Sequence, residues 1–507
     1  MKKSLYFAAI ALLLGLFSCD KETLNPIPSN AVSDSQIFSS VESAKTALNG
    51  GMKFLGYYQS FTMLTVMAEV MGEDALMTDG NHGLPHYTWH VNSYTYSQVP
   101  ESSPWHTGYS NSIWEYDYKG IDAANNIIAH VTDMPEQNGK ENLLGQAYAL
   151  RGYLFLRLAR LFAESYTTNP DGPCIVLRKE PADASSEHIG RSSLKDTYAQ
   201  ILSDLNYGRQ HCSASDVSFF TPKACALFMA RAYLDMGDYT NAKKYAAEAA
   251  SDTFDGSNLM SQDEYQAGFM DPNVEWLMGF TFNESTSNLF ASIPSFYYLA
   301  TSAVNADANG KANPDDTAYL ESPLEADYFE NALYGYSTVR WTFRFRNSFE
   351  ETDCRKLFPF YFDEADGWLT SKFSHRDLSL GNADFPLARI AEAYLIKAEC
   401  EAQDGGNAAT AKDVLNALQE ARGATPTTAT LDNIYMERRK ELYGEGYRLF
   451  DIKRLHQPLD RTMDPEHWAS VKSLPADSPR FMLPIPECEL LYNKALTKSD
   501  QNAYWKK

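Results

Sequence analysis

A mainly α-helical fold is predicted for this 507-residue chain: a scaffold of tetratricopeptide-type helix pairs with a large irregular, loop-rich insert region that carries a few short strands. Three observations predict it. Apolar residues recur at spacings of three and four through several long segments, the period of one buried helix face. One stretch, 223–250, sets small and aromatic residues at the spacing of a helix-pair repeat. Two further stretches, 72–111 and 255–384, lack helical or strand periodicity over most of their length.

The helices follow in order. Residues 39–54 open with Ser39 and Glu42 in capping-box register. Residues 113–131 and 141–162 come next; in the latter Leu143, Ala147, Leu150, Leu154, Leu158 and Leu161 form one face. Residues 194–209 are another helix. In 223–250, Ala230, Tyr233, Gly237, Tyr239, Ala242 and Ala249 hold the repeat positions, with Tyr245 one place before the expected aromatic. Small residues let two antiparallel helices approach, the Gly237-Asp238 turn reverses the chain, and tyrosines fill the groove between neighbours. A second pair, 390–403 and 408–421, is joined by Asp404-Gly405-Gly406-Asn407. Such pairs bury a continuous core only when stacked. One scaffold over about 34–71, 112–254 and 385–507 is therefore expected.

The irregular segments interrupt it. The first, about 72–111, holds Tyr87, Trp89, Tyr94, Tyr96, Trp105 and Tyr109 among Gly, Pro, Asn, Ser and His. The second, about 255–384, contains a strand-like piece at 339–345, where Val339, Trp341, Phe343 and Phe345 alternate with Arg340, Thr342 and Arg344. Long loops without period are often functional. Two of them in one scaffold predict a binding face built jointly.

The start of the chain reads as an export signal. Lys2 and Lys3 precede an apolar run from Leu5 to Phe17, then Ser18 and Cys19. That order is a signal peptide, expected over 1–18, and the run falls short of the roughly 20 residues that span a bilayer. Leu16-Phe17-Ser18-Cys19 resembles the lipobox of bacterial lipoproteins, so Cys19 is the expected lipidation site. Several acyl chains on one cysteine anchor stably. The polar, proline-containing stretch 19–33 reads as a tether, and 34–507 as a single body.

Composition excludes some classes. The net charge of -22 and the lack of a basic patch argue against nucleic acid. The chain has 31 Tyr, 27 Phe and 8 Trp, and Tyr and Trp in loops suit a sugar- or peptide-binding surface. Beyond Cys19, Cys174, Cys212, Cys225, Cys354, Cys400 and Cys488 are dispersed without zinc spacing; spacing leaves bridged and free thiols open. His82, His86 and His90 are spaced by four, but Pro85 breaks the helix that would align them, and neither metal nor cofactor is expected. No GxSxG, HExxH, P-loop or post-strand GxGxxG occurs, so a binding protein is expected in preference to an enzyme.

At the C-terminal end, Glu437-Arg438-Arg439-Lys440-Glu441-Leu442, then Glu445-Gly446-Tyr447-Arg448-Leu449-Phe450-Asp451-Ile452-Lys453-Arg454, resembles the hallmark segment of the SusD/RagB family. Leu483-Pro484-Ile485-Pro486 with Glu489, Asn493 and Gln501-Asn502 is similar to its closing pattern. Arg389, Glu392, Tyr394, Leu395, Ala398 and Glu399 are similar to the helix upstream, and 33–54 to the first segment. Two departures touch scaffold positions: arginines usual after Leu415-Asn416 are reduced to Arg422, and Ala503-Tyr504 replaces the usual Pro-Gly. Read from the residues, Glu437 and Glu441 at i,i+4, with Arg438, Arg439 and Lys440 between them, form a charged helix face. Gly444 and Gly446 end that helix, and Arg448 and Asp451 sit at i,i+3 on the next. Structural salt bridges, not ligand contacts, are expected there.

The resemblance implies a lipid-anchored outer-membrane protein of Gram-negative bacteria that serves nutrient uptake and polysaccharide utilisation. Such proteins capture oligosaccharides, in some members peptides, for a SusC-type TonB-dependent transporter on which they sit as a lid. Asp20-Lys21-Glu22 is similar to signals that send these lipoproteins to the exterior face. In the family the ligand lies on the face built from the first insert and the middle section. Here that points to Tyr87, Trp89 and Trp105, and to Tyr297, Tyr298, Trp341 and Trp368, with Asp74 and Asn81 as hydrogen-bonding partners. Sugar C–H faces stack on aromatic rings while polar side chains take the hydroxyls. Trp341, in an alternating strand, reads first as core; of the adjacent Tyr297 and Tyr298, one is expected inside and one outside. A neutral oligosaccharide is the expected ligand; a peptide ligand, or a lid role without a soluble ligand, is the alternative.

Overall fold

Most of the long helices begin where a side-chain oxygen can take the first free backbone N–H groups. In the computed structural model the described residues are 34–77, 109–297, 311 and 338–505, without 184, 284, 289–290, 362, 365–366, 375, 377–381 and 468–470. After α1 (Asp34–Ile37), α2 (Val41–Gly56) is capped by Ser40, with Ser43 returning the bond. The capping box is thus Ser40 and Ser43, one residue on from the expected Ser39 and Glu42. The helix α3 (Phe61–Val70) is buried along its whole length and leads into β1 (Ala75–Met77).

The repeat scaffold comprises α4 (Tyr109–Thr132), α5 (Lys140–Phe162), α6 (Leu194–His211), α7 (Pro222–Asp235) and α8 (Tyr239–Ala249). Ser193, Thr221 and Asp238 cap the last three. Gly237 turns the α7–α8 pair at a φ of +70°, which an L side chain adopts only with strain. The middle section gives α9 (Gln262–Gln266), β2 (Trp276–Phe280), α10 (Ile293–Tyr297), β3 (Val339–Trp341), α11 (Phe343–Arg346) and β4 (Phe385–Arg389). The C-terminal part holds α12 (Ile390–Ala402), α13 (Ala408–Ala421), α14 (Leu431–Leu442), α15 (Arg448–Arg454), β5 (Leu459–Asp460), β6 (Ser473–Leu474) and α16 (Glu487–Tyr492).

From α4 through α8 each helix packs on its successor; α2 also lies on α4, α8 on α12, and α12 on α13 and α14. This is the stacking that helix-pair repeats require, and the mainly α scaffold read from the sequence is the observed one. The α5–α6 seam is close: a Cβ at Gly208 would stand 2.7 Å from Ala149 Cβ. Arg151 crosses the seam with Nε and Nη2 donating to Asp204 at 2.8 and 2.9 Å. Tyr245 stacks on Tyr233 at 5.5 Å between centroids, so the displaced aromatic still fills the groove. Among the described residues, strands form only two-stranded antiparallel pairs, β1–β3, β2–β4 and β5–β6.

Two expectations are corrected. The strand predicted over 339–345 stops at Trp341, because Thr342 Oγ1 accepts the Phe345 N–H and starts α11. The charged face of the signature also pairs beyond its own helix. Glu437, Arg438 and Glu441 are buried, and their partners come from other elements. Glu441 takes bonds from Arg389 at 2.6 Å, Arg422 at 3.0 Å and Arg355 at 3.1 Å. Arg438 bonds Asp451 at 2.8 Å. Burial would raise the Glu441 carboxyl, but these three guanidinium groups hold it well below its usual range. Arg448 turns away from Asp451 to Glu73, at 2.6 Å. The role is structural, as expected; the geometry is long-range.

Cys174, Cys212, Cys225, Cys354, Cys400 and Cys488 are free thiols. Among the described residues no helix is long and apolar enough to cross a membrane. Cys19 and the tether lie outside the described residues.

Candidate ligand-binding face

The two inserts leave the scaffold side by side. β1 pairs antiparallel with β3, with Ala75 opposite Trp341, Leu76 opposite Arg340 and Met77 opposite Val339. Segment 78–108 departs after Met77, and 312–337 rejoins at Thr338. A third piece closes on the same ladder: Trp341 and Trp368 exchange both backbone bonds at 2.8 Å. Tyr297, at the end of α10, meets Trp341 edge to face at 5.0 Å.

Four predicted site residues, Asp74, Tyr297, Trp341 and Trp368, are therefore brought together from four separate segments. They are not open platforms. Tyr297 and Trp341 are fully buried, Trp368 is 3 % exposed and Asp74 6 %. Trp341 packs among Tyr297, Phe358 and Tyr443. Trp368 packs on Tyr361 at 4.7 Å and lies under the Arg346 guanidinium at 4.0 Å. Apolar bulk drives the rings inward. Their polar handles, Tyr297 Oη, Trp341 Nε1 and Trp368 Nε1, are buried without a hydrogen-bond partner among the described residues, which is uncommon for such groups. Asp74 is engaged by Arg439, whose Nε donates to Oδ2 at 2.8 Å while Nη2 bonds Oδ1. Tyr87, Trp89, Trp105, Tyr298 and Asn81 lie outside the described residues, as do His82, His86 and His90.

Sequence reading missed what holds this root. Residues 461–467, between β5 and β6, bridge both inserts. Arg461 donates to the carbonyls of Gly72 and Val70 at 2.9 and 2.8 Å, and His467 Nε2 meets Glu73 O at 2.8 Å. Asp464 receives Arg344 at 2.9 and 2.6 Å, and Glu466 receives the Phe343 N–H at 2.7 Å. Burial and the nearby Arg461 charge push the His467 imidazole down to about 3, so it stays neutral. Burial of Glu73 is outweighed by Arg448 and Arg439, which hold its carboxyl down at about 2. No local motif marks this segment; the partners that tie it to the inserts lie more than a hundred residues away.

Comparison with known proteins decides the family. The family described as "Starch-binding associating with outer membrane" (SusD-like) matches residues 59–234, and the SusD family matches 361–505. The chain belongs to the SusD/RagB family. A SusD-like protein of Formosa agariphila is 23 % identical over 501 residues, covering 89 % of this chain and 91 % of its own. Among solved structures, this SusD/RagB chain is similar to a SusD-like carbohydrate binding protein of Bacteroides vulgatus, with TM-score 0.71, 24 % identity and coverage of 91 % and 98 %. A SusD superfamily protein of Bacteroides thetaiotaomicron gives TM-score 0.75 at 19 % identity, covering 92 % and 100 %. A laminarin binding SusD-like protein gives 0.69 at 18 %, covering 91 % and 98 %. At these identities the structures speak for the shared fold.

Proposed function

We propose that this SusD/RagB chain captures neutral oligosaccharides at the cell surface and hands them to a SusC-type TonB-dependent transporter, tethered to the outer membrane through lipid on Cys19. One observation carries the reading: the Met77–Val339 pairing roots both aromatic-bearing inserts on one ladder. This pairing supports a face built jointly by the two inserts. The family's starch-binding description and a laminarin-binding neighbour support a saccharide ligand. Tyr87, Trp89, Trp105, Tyr298 and Asn81 are the contact residues of this reading. Tyr297, Trp341, Trp368 and Asp74 are buried at the β1–β3 root and take no part as open platforms. Binding, not bond cleavage, is the activity.

A glycan array on the purified chain, followed by calorimetry, tests it. Binding to a neutral oligosaccharide, weakened by about 1–3 kcal/mol in Trp89→Ala, is the expected result. Binding only to peptides would move the ligand class. Sugar released on long incubation would make the chain an enzyme. Transporter co-purification without any soluble ligand would leave only a lid.

A further inference from the structure

A groove of about 700 Å3 lies on the scaffold and shares no lining residue with the β1–β3 root. Its floor is one face of α4, where Trp114, Tyr118, Ile121 and Asn125 recur at spacings of three and four. The connection 176–188 forms one wall; α16 and the end of α2, at Phe54, form the other. From Trp114 to Asn125 the helix rises about 16 Å, and the volume falls within the range of small-molecule sites. Two bonds fix the α16 wall to the start of α4: Cys488 Sγ with Asn111 Oδ1 at 2.8 Å, and Trp114 Nε1 to Glu489 at 3.2 Å. That start, Tyr109, is where the first insert rejoins the scaffold.

The lining chemistry points to one class of ligand. Trp114 and Ile121 are buried, giving an apolar floor, while the Tyr492 ring is 77 % exposed at the rim. Past Phe54 the aromatic surface continues through Tyr116 and Tyr57, 4.7 Å apart. Around it stand three carboxylates, Glu115, Asp122 and Glu489, against Lys119, Arg178 and His188. A strongly ionic ligand would meet its own sign as often as the opposite. A wholly apolar one would strip water from these charges at a cost. A neutral, hydroxyl-rich chain with apolar ring faces meets both conditions, since its rings stack and its hydroxyls donate and accept.

We infer that this groove is a second saccharide subsite, in which a neutral oligosaccharide stacks on Tyr492 and bonds the rim side chains Glu115, Asp122 and Arg178. The inference rests on the capture reading and extends it from the insert face along α4. The test uses the full chain with maltoheptaose and laminarihexaose. Hydrogen exchange is followed over 176–188 and 487–493, and affinity is measured for the parent, Tyr492→Ala and Glu115→Gln. Protection of both segments by at least one glucan is expected, with affinity about five- to tenfold lower in Tyr492→Ala and unchanged thermal unfolding. If the parent binds a glucan while the groove stays unprotected and Tyr492→Ala binds equally, the subsite is refuted and capture stands. If no neutral glycan binds by array or calorimetry, both fall. Protection by an extended peptide and by neither glucan overturns the saccharide assignment.

Discussion

Asp74→Asn separates a ligand contact from a structural clamp. The carboxylate accepts Arg439 Nε at 2.8 Å and a second bond from Nη2, and the two side chains are 8 % and 18 % exposed. A hydrogen bond to a charged group contributes about 1.5–3 kcal/mol, and breaking a fully buried pair costs about 3–5 kcal/mol. Two features reduce that figure here. Arg439 keeps Glu73 Oε1 at 3.2 Å, and asparagine still offers one acceptor. A loss of about 2 kcal/mol is expected, read as a lower urea midpoint at constant m. A cycle with Arg439→Gln should return a coupling of about 1 kcal/mol or more. Stability within about 0.5 kcal/mol of the parent, together with weaker glycan binding, would refute the clamp and restore Asp74 as a ligand contact.

Three further outcomes are expected. Glu441→Gln keeps shape but removes the carboxylate shared by Arg355, Arg389 and Arg422; each retains another acid, so urea unfolding should show a loss of about 3 kcal/mol. Glu69 accepts the Gly446 and Tyr447 N–H groups at 2.7 and 3.2 Å, yet burial pushes its carboxyl up to about 7. A raised carboxyl contributes stability that is complete below the unfolded value and lost as pH rises through about 7. Unfolding free energy should therefore fall by about 2–3 kcal/mol more between pH 5 and 8 in the parent than in Glu69→Gln. Gly208→Ala gains about 1 kcal/mol of helix propensity, but its Cβ would lie 2.7 Å from Ala149 Cβ and 3.1 Å from Cys225 Sγ; thermal unfolding should show a net loss of about 1–2 kcal/mol.

The scaffold was legible because its signals are local. Leu143 to Leu161 mark a face of α5, and Gly237 marks the α7–α8 turn at +70°. Local signals also misled. Alternation carried the strand on to Phe345, but the Thr342 hydroxyl captured the chain three residues earlier. The i,i+4 spacing of Glu437 and Glu441 suggested a charged face with local pairs, whereas Arg355 and Arg389 approach from 82 and 52 residues away. Tyr297 is fully buried, and its neighbour Tyr298 lies outside the described residues. The α4 groove could not be read at all, since its walls come from residues near 54, 176–188 and 487–493, and no spacing within one segment encodes that meeting.

The clamps divide the chain into parts with different tolerances. Arg439 and Arg448 reach Glu73 and Asp74 from the signature helices, and Arg461 and His467 hold Val70, Gly72 and Glu73. On the other side of the ladder, Asp464 and Glu466 hold Arg344 and Phe343. Among the described residues these contacts end at a root: at or before Met77 on the first insert, and beyond the return at Thr338 on the second. The clamps therefore fix where the inserts depart. Loss of one clamp residue strands a buried partner and loosens both inserts at once, because β1 and β3 share a single three-residue ladder. The most recognisable residues of the sequence thus hold the β1–β3 root, and in the proposed capture reading the choice of ligand falls to residues that the recognisable pattern leaves out.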